Sequence, residues 1–166
     1  MSEDFDPTAL SAEKTARYGE LAEMIAAVLE GEPDPVARMA TVGSMLASTF
    51  AHFYWTGFYV VDPSKGDELV VGPYQGTLGC LRIAFGRGVC GKAAVTGEIQ
   101  IVDDVNAFPD HIACDALSVS EIVVPVRDAG GRLIAVLDVD ATVPAAFDQV
   151  DAAGLEAIVK QVFAGG

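Results

Sequence analysis

Two aspartates set two residues apart in an apolar stretch are the first place where this sequence could do chemistry. In Ile134-Ala-Val-Leu-Asp-Val-Asp140, alternation puts Ile134, Val136, Asp138 and Asp140 on one side of a strand and Leu133, Ala135, Leu137 and Val139 on the other. The two carboxylates then point the same way, roughly 7 Å apart. Aspartate is disfavoured in strands, and an inward-facing pair is costly unless something satisfies it. Two readings are open: a cationic ligand group satisfies the pair, or that face is simply wet. Glu121 opens the preceding strand of the same hairpin, across the turn Asp128-Ala-Gly-Gly131. Pairing across that turn brings Glu121 toward the end that carries Asp138 and Asp140. Three converging carboxylates would bind an ammonium group. They would also hold at least one acid protonated near neutral pH, because like charges oppose joint ionisation.

The three cysteines, Cys80, Cys90 and Cys114, are the candidate nucleophiles. An odd count argues against a static disulfide framework. With no Cys-x-x-Cys pair, and only His52 and His111 as histidines, a zinc site has poor support. Cys114 lies in the long mixed stretch Asp103–Ser120, and a loop of that length in a compact domain is usually functional or disordered. Its scattered apolar residues favour an ordered loop. The loop gives a thiol access, but the nearby acids raise its pKa. That difficulty eases if the substrate brings its own positive charge and the acids protonate a leaving oxygen. An inert or buried Cys114 fits the same residues. Cys90 stands at the start of a short helix, where the dipole favours a thiolate, and Cys80 falls on a predicted strand. Thiols near Cys114 would let a sulfenic acid resolve to a disulfide, although packing as small apolar residues is the plainer account of each.

Trp55 and Tyr59 share a strand face with Gly57 between them, and either wall an apolar pocket or belong to ordinary core. Gly86-Arg-Gly-Val-Cys-Gly-Lys92 lacks the Gly-x-x-x-x-Gly-Lys-Ser/Thr spacing of a phosphate loop, which excludes a nucleoside triphosphatase. His111 fits a base or, more plainly, a structural hydrogen-bond partner.

The elements that must position these residues follow from periodicity. Residues 12–30 read as a helix with Tyr18, Leu21, Ile25, Val28 and Leu29 in one stripe. Asp34-Pro35 opens a second helix as N-cap and first residue, with Val36, Met39, Gly43, Leu46, Phe50 and Phe53 on its apolar side. Strands are predicted at Trp55–Val61, Glu68–Tyr74, Gly79–Phe85, Ile99–Val102, Glu121–Arg127 and Arg132–Ala141. A short helix spans Lys92–Thr96, and a last one follows the N-cap Asp148 to about Phe163. This order predicts an α+β fold: a mostly antiparallel central sheet of about six strands, the N- and C-terminal helices on one face and loops covering a ligand on the other.

The chain has 166 residues, of which 51% are hydrophobic, enough for one core. No apolar run reaches the ~18–20 residues of a membrane span, and the acidic start is no signal peptide. A soluble, cytoplasmic protein is expected. A net charge of −14 disfavours nucleic acid and anionic membranes as partners.

Seven segments together resemble a known family. They are Trp55-Thr-Gly-Phe-Tyr59, Gly72-Pro-Tyr-Gln-Gly76, Cys80-Leu-Arg-Ile83, Gly86-Arg-Gly-Val-Cys-Gly91, Asp110-His-Ile-Ala-Cys-Asp115, Ser120-Glu-Ile-Val-Val-Pro125 and Leu137-Asp-Val-Asp140. They are similar to the free methionine-(R)-sulfoxide reductases, which are stand-alone GAF domains. The likeness runs from about Tyr18 to Val162, and all three cysteine contexts are present. It implies a GAF-like domain over residues 16–164, preceded by a segment 1–15 open to flexibility. It also implies reduction of free L-methionine-(R)-S-oxide to methionine without a cofactor or metal. In that family pattern Cys114 is the nucleophile that becomes a sulfenic acid. Cys80 is the main resolving thiol, forming a disulfide that thioredoxin reduces. Cys90 matches the third family cysteine, which has also been read as the nucleophile. Glu121, Asp138 and Asp140 would grip the ammonium and help protonate the sulfoxide oxygen, while Trp55 and Tyr59 enclose the methyl-sulfur end. A homodimer is implied as well. A sulfoxide inside a protein chain lacks that ammonium and should be rejected. Two alternatives stand beside the enzyme: a GAF small-ligand sensor, and a thiol redox sensor without turnover.

Overall fold

The computed structural model describes residues 7–109 and 116–165. Helix α1 (Pro7–Val28) begins ahead of the expected residue 12, at a proline that suits a first turn. Helix α2 (Pro35–Thr49) starts as its sequence directs: the Asp34 side chain accepts the Ala37 N–H at 2.9 Å and Pro35 takes the first turn. Six strands follow, β1 (Trp55–Val61), β2 (Glu68–Gln75), β3 (Arg82–Ala84), β4 (Gln100–Val102), β5 (Ser120–Arg127) and β6 (Leu133–Ala141). Helix α3 (Gly88–Thr96) lies between β3 and β4, and α4 (Gln149–Val159) comes last, widening into a π-helical turn over Lys160–Ala164. The sheet order is β3-β2-β1-β6-β5-β4, with every neighbouring pair antiparallel. Because β3 begins only at Arg82, Cys80 sits in the connection before it and not on a strand.

The two faces of the sheet carry separate cores. On one face Tyr18, Leu21 and Ile25 of α1, Met39, Val42 and Leu46 of α2, and Leu155 and Ile158 of α4 bury Phe58, Ile122, Val124, Leu137 and Val139. Val28 and Val36, expected in the helix stripes, are each 61% exposed, since both lie at helix ends beyond the sheet contact. On the other face α3 covers Trp55, Tyr59, Leu69, Val123 and Val136 through Val89, Cys90, Ala93 and Ala94. The alternation along β6 holds except at one place. Ala135 pairs with Val126 but Leu133 pairs with Arg127, so Ile134 is an extra residue in a bulge. It packs with the helix-covered core, and not on the side of Asp138 as strict alternation requires.

A buried polar link ties α1 to α4. The Tyr18 hydroxyl donates to Asp151 at 2.6 Å and Lys14 Nζ donates to the same carboxylate at 2.7 Å. Asp151 also accepts the Asp148 N–H at 2.9 Å, closing a capping box at the start of α4. Among the described residues no helix is long and apolar enough to cross a membrane.

Candidate active site

Strand register builds the floor of the site. Trp55, Asp140 and Glu121 form one rung across β1, β6 and β5; Gly57, Asp138 and Val123 form the next; Tyr59, Val136 and Pro125 form the third. Directly opposed Cβ atoms on such rungs are ~4.5–5.5 Å apart, so the three carboxylates converge as the hairpin turn predicts. They lie on the face covered by α3. A cleft opens there, lined by Trp55, Tyr59, Leu78, Gly79, Ile83, Arg87, Gly88, Val89, Cys90, Ser118, Glu121, Asp138 and Asp140.

The floor is buried and crowded with acid. Glu121 is 6% exposed and Asp138 4%. The Cys90 thiol donates to Glu121 Oε1 at 3.9 Å. Burial pushes the Glu121 carboxyl well above the ordinary range, and the charge of Asp138 and a hydrogen bond shared with it push the same way. Burial and the charge of Asp140 likewise raise Asp138. Asp138 Oδ1 is buried with no hydrogen-bond partner, the state that an incoming cation or donor would relieve. Of the two readings of Cys90, the packed thiol holds and the dipole-favoured thiolate does not. Burial and the charges of Asp138, Glu121 and Asp140 raise its pKa well above normal, outweighing one short helix.

The apolar wall is a stack. The Trp55 ring lies parallel to Tyr59 at 5.5 Å and to Tyr74 at 5.0 Å between centroids, and its Nε1 donates to the Thr77 carbonyl at 2.9 Å. The stack exists because glycines make room for it. A Cβ on Gly57 would meet Trp55 Cη2 at 2.9 Å, one on Gly76 would meet Cδ1 at 2.9 Å, and one on Gly79 would meet Cζ2 at 2.9 Å. Gly76, Gly79 and Tyr74 are absent from the sequence-based site. Their signal was the glycine pair flanking Thr77-Leu78, visible only once Trp55 is known to need the space.

The thiols are placed unequally. Cys90 is the free thiol among the described residues and is 4% exposed. Cys80 is half-buried and disulfide-bonded, and its backbone N–H donates to the Tyr59 hydroxyl. That hydroxyl is pushed up by burial and by Asp138. Cys114 and His111 lie outside the described residues.

The class of this sheet-and-helix fold is that of a GAF domain, since residues 39–163 match the GAF domain family model. Free methionine-R-sulfoxide reductase from Escherichia coli is 40% identical over 90% of this chain and 88% of its own. The enzyme of that name from Saccharomyces cerevisiae is 41% identical over 80% of this chain and 76% of its own. The structure of free methionine-R-sulfoxide reductase from Neisseria meningitidis, in complex with its substrate, superposes with a TM-score of 0.85 at 48% identity, covering 90% of this chain and 87% of that one. The chain belongs to the free methionine-R-sulfoxide reductase family.

Proposed function

We propose that this chain reduces free methionine-(R)-sulfoxide to methionine with its own thiols, in the cleft over β1, β6 and β5. The observation that carries the reading is Asp138, whose buried Oδ1 has no partner beside the Trp55–Tyr59 wall. That is a hole for a cation next to a hole for a small apolar group, and free methionine sulfoxide presents both. Asp138 and Asp140 take the ammonium. Arg87 at the rim and the first-turn N–H groups of α3, where no side chain caps the helix, suit the α-carboxylate. Trp55 and Tyr59 enclose the methyl-sulfur end.

Burial and the neighbouring Asp138 charge favour the protonated form of Glu121, which makes it the donor to the sulfoxide oxygen. The Cys114 thiolate attacks at the sulfoxide, the S–O bond breaks and methionine leaves. Oxygen and proton remain on Cys114 as a sulfenic acid, so the cysteine sulfur is oxidised and the methionine sulfur reduced by the same two electrons. The Cys80 thiol then displaces water to form a disulfide, and thioredoxin returns both thiols. That Cys80 is disulfide-bonded while Cys90 keeps its thiol supports Cys80 as the resolving residue. The raised pKa of Cys90 supports a proton donor to Glu121 and not a nucleophile. The same reading places the enzyme in the cytoplasm, where dithiol reductants operate. It also pairs two copies through their leading helices, as the exposed Leu10, Met24 and Val28 of α1 support.

The test is thioredoxin-coupled turnover of the free R epimer, with N-acetylated and peptide-bound methionine sulfoxide as controls. Turnover of the free form alone, lost in Cys114→Ser, is expected. Equal turnover of the acetylated form, or an active Cys114→Ser, would refute the reading.

A further inference from the structure

Cys90, Glu121 and Asp138 come from three elements and have none of the spacings of a metal motif. The fold nevertheless brings the Cys90 sulfur and one oxygen from each carboxylate within 4.8 Å of one another. A tetrahedral zinc ion, with Zn–S ~2.3 Å and Zn–O ~2.0 Å, holds its sulfur and oxygen ligands roughly 3.5 Å apart. Cys90 Sγ and Glu121 Oε1 stand 3.9 Å apart, so a small closure suffices. A second observation points to a ligand: Asp138 is 4% exposed and its Oδ1 accepts from nothing. Water can complete the set from the open side of the cleft.

We propose that this cluster is a zinc(II) site, and that the metal there excludes the cationic substrate. One thiolate with two carboxylates suits zinc or cobalt. Magnesium requires near-octahedral oxygen and sheds its water reluctantly. The divalent charge removes the like-charge repulsion that holds protons on these groups. Binding therefore releases protons, and affinity rises with pH. The metal site rests on geometry and stands whether or not the chain is a reductase, whereas the exclusion of substrate rests on the proposed function.

The test is cobalt(II) titration of the full chain, with the Cys80 disulfide left intact. Saturable binding with a thiolate-to-cobalt charge-transfer band is expected, reversed by zinc and unaffected by excess magnesium. Cys90→Ser removes the band, and Asp138→Asn weakens binding roughly tenfold or more with an unchanged circular dichroism spectrum. No band in the wild-type protein, a band that survives Cys90→Ser, or wild-type affinity in Asp138→Asn overturns the proposal. Inhibition by zinc that raises the KM for free methionine sulfoxide is the matching kinetic result.

Discussion

Replacing Asp138 by asparagine should weaken the enzyme and strengthen the fold at once. The change keeps shape and removes one charge from a buried floor. In turnover, a carboxylate–ammonium pair at ~4 Å contributes about 4 kcal/mol at an effective dielectric constant of ~20. Part of that is offset, because burial and Asp140 oppose ionisation of Asp138 before the cation arrives. A net loss of about 2–3 kcal/mol remains, near the lower end for truncating one partner of a buried charge pair. At 1.36 kcal/mol per decade this is roughly a 30- to 150-fold fall in kcat/KM, carried mostly by KM. In the substrate-free protein the sign reverses. Asp138 is a buried group with an orphaned oxygen beside two other acids, and an amide there escapes the ionisation penalty. Asp138→Asn should therefore melt at a higher temperature. Steady-state kinetics on the free R epimer and a thermal melt of the same preparation check both halves. A KM within about threefold of wild type together with an unchanged melting temperature would refute the placement of the ammonium.

Gly79→Ala puts a methyl group 2.9 Å from Trp55 Cζ2 and 3.2 Å from Tyr59 Oη. Shifting that wall costs about 1–3 kcal/mol, so kcat/KM should fall about tenfold, and wild-type kinetics would show that the wall is not used. Tyr18→Phe removes the 2.6 Å bond to buried Asp151 and should cost about 2 kcal/mol, or roughly 4–8 °C in melting temperature, with activity unchanged. The carboxyls of Glu121 and Asp138 are raised in the folded state from 4.5 and 3.8. The folded chain thus binds more protons than the unfolded one. The stability these groups contribute is full below pH ~4 and lost as pH rises through their folded values. Melting temperature of the substrate-free protein should fall as pH rises above ~5, and Glu121→Gln with Asp138→Asn should flatten that slope.

How far the sequence shows the site depends on the range of the physics involved. Alternation is local, so it alone puts Asp138 and Asp140 on one face. The turn at Gly130-Gly131 is also local, and it brought Glu121 onto the rung of Asp140. The Ile134 bulge was not visible, because either alternation or an added residue fits so apolar a run. For Cys90 the sequence leaves packing and a helix-favoured thiolate open, and burial decides for packing. Its helix position is written in nearby residues, but its burial comes from Val123 and Val136 on strands that lie later in the chain. The neighbours of Cys80 favour a strand, whereas β3 pairs with β2 only from Arg82 onward.

The glycines around Trp55 bear on how this cleft could ever take a larger guest. Its width on that side is set by main chain at positions 57, 76 and 79, since the indole, joined at position 57 by Tyr74, occupies the volume those residues vacate. Exchanging neighbouring side chains would leave the dimension unchanged, and adding any side chain at the three would only narrow it. Trimming Trp55 itself would widen the opening there, and it would also strip Tyr59 and Tyr74 of their stacking partner.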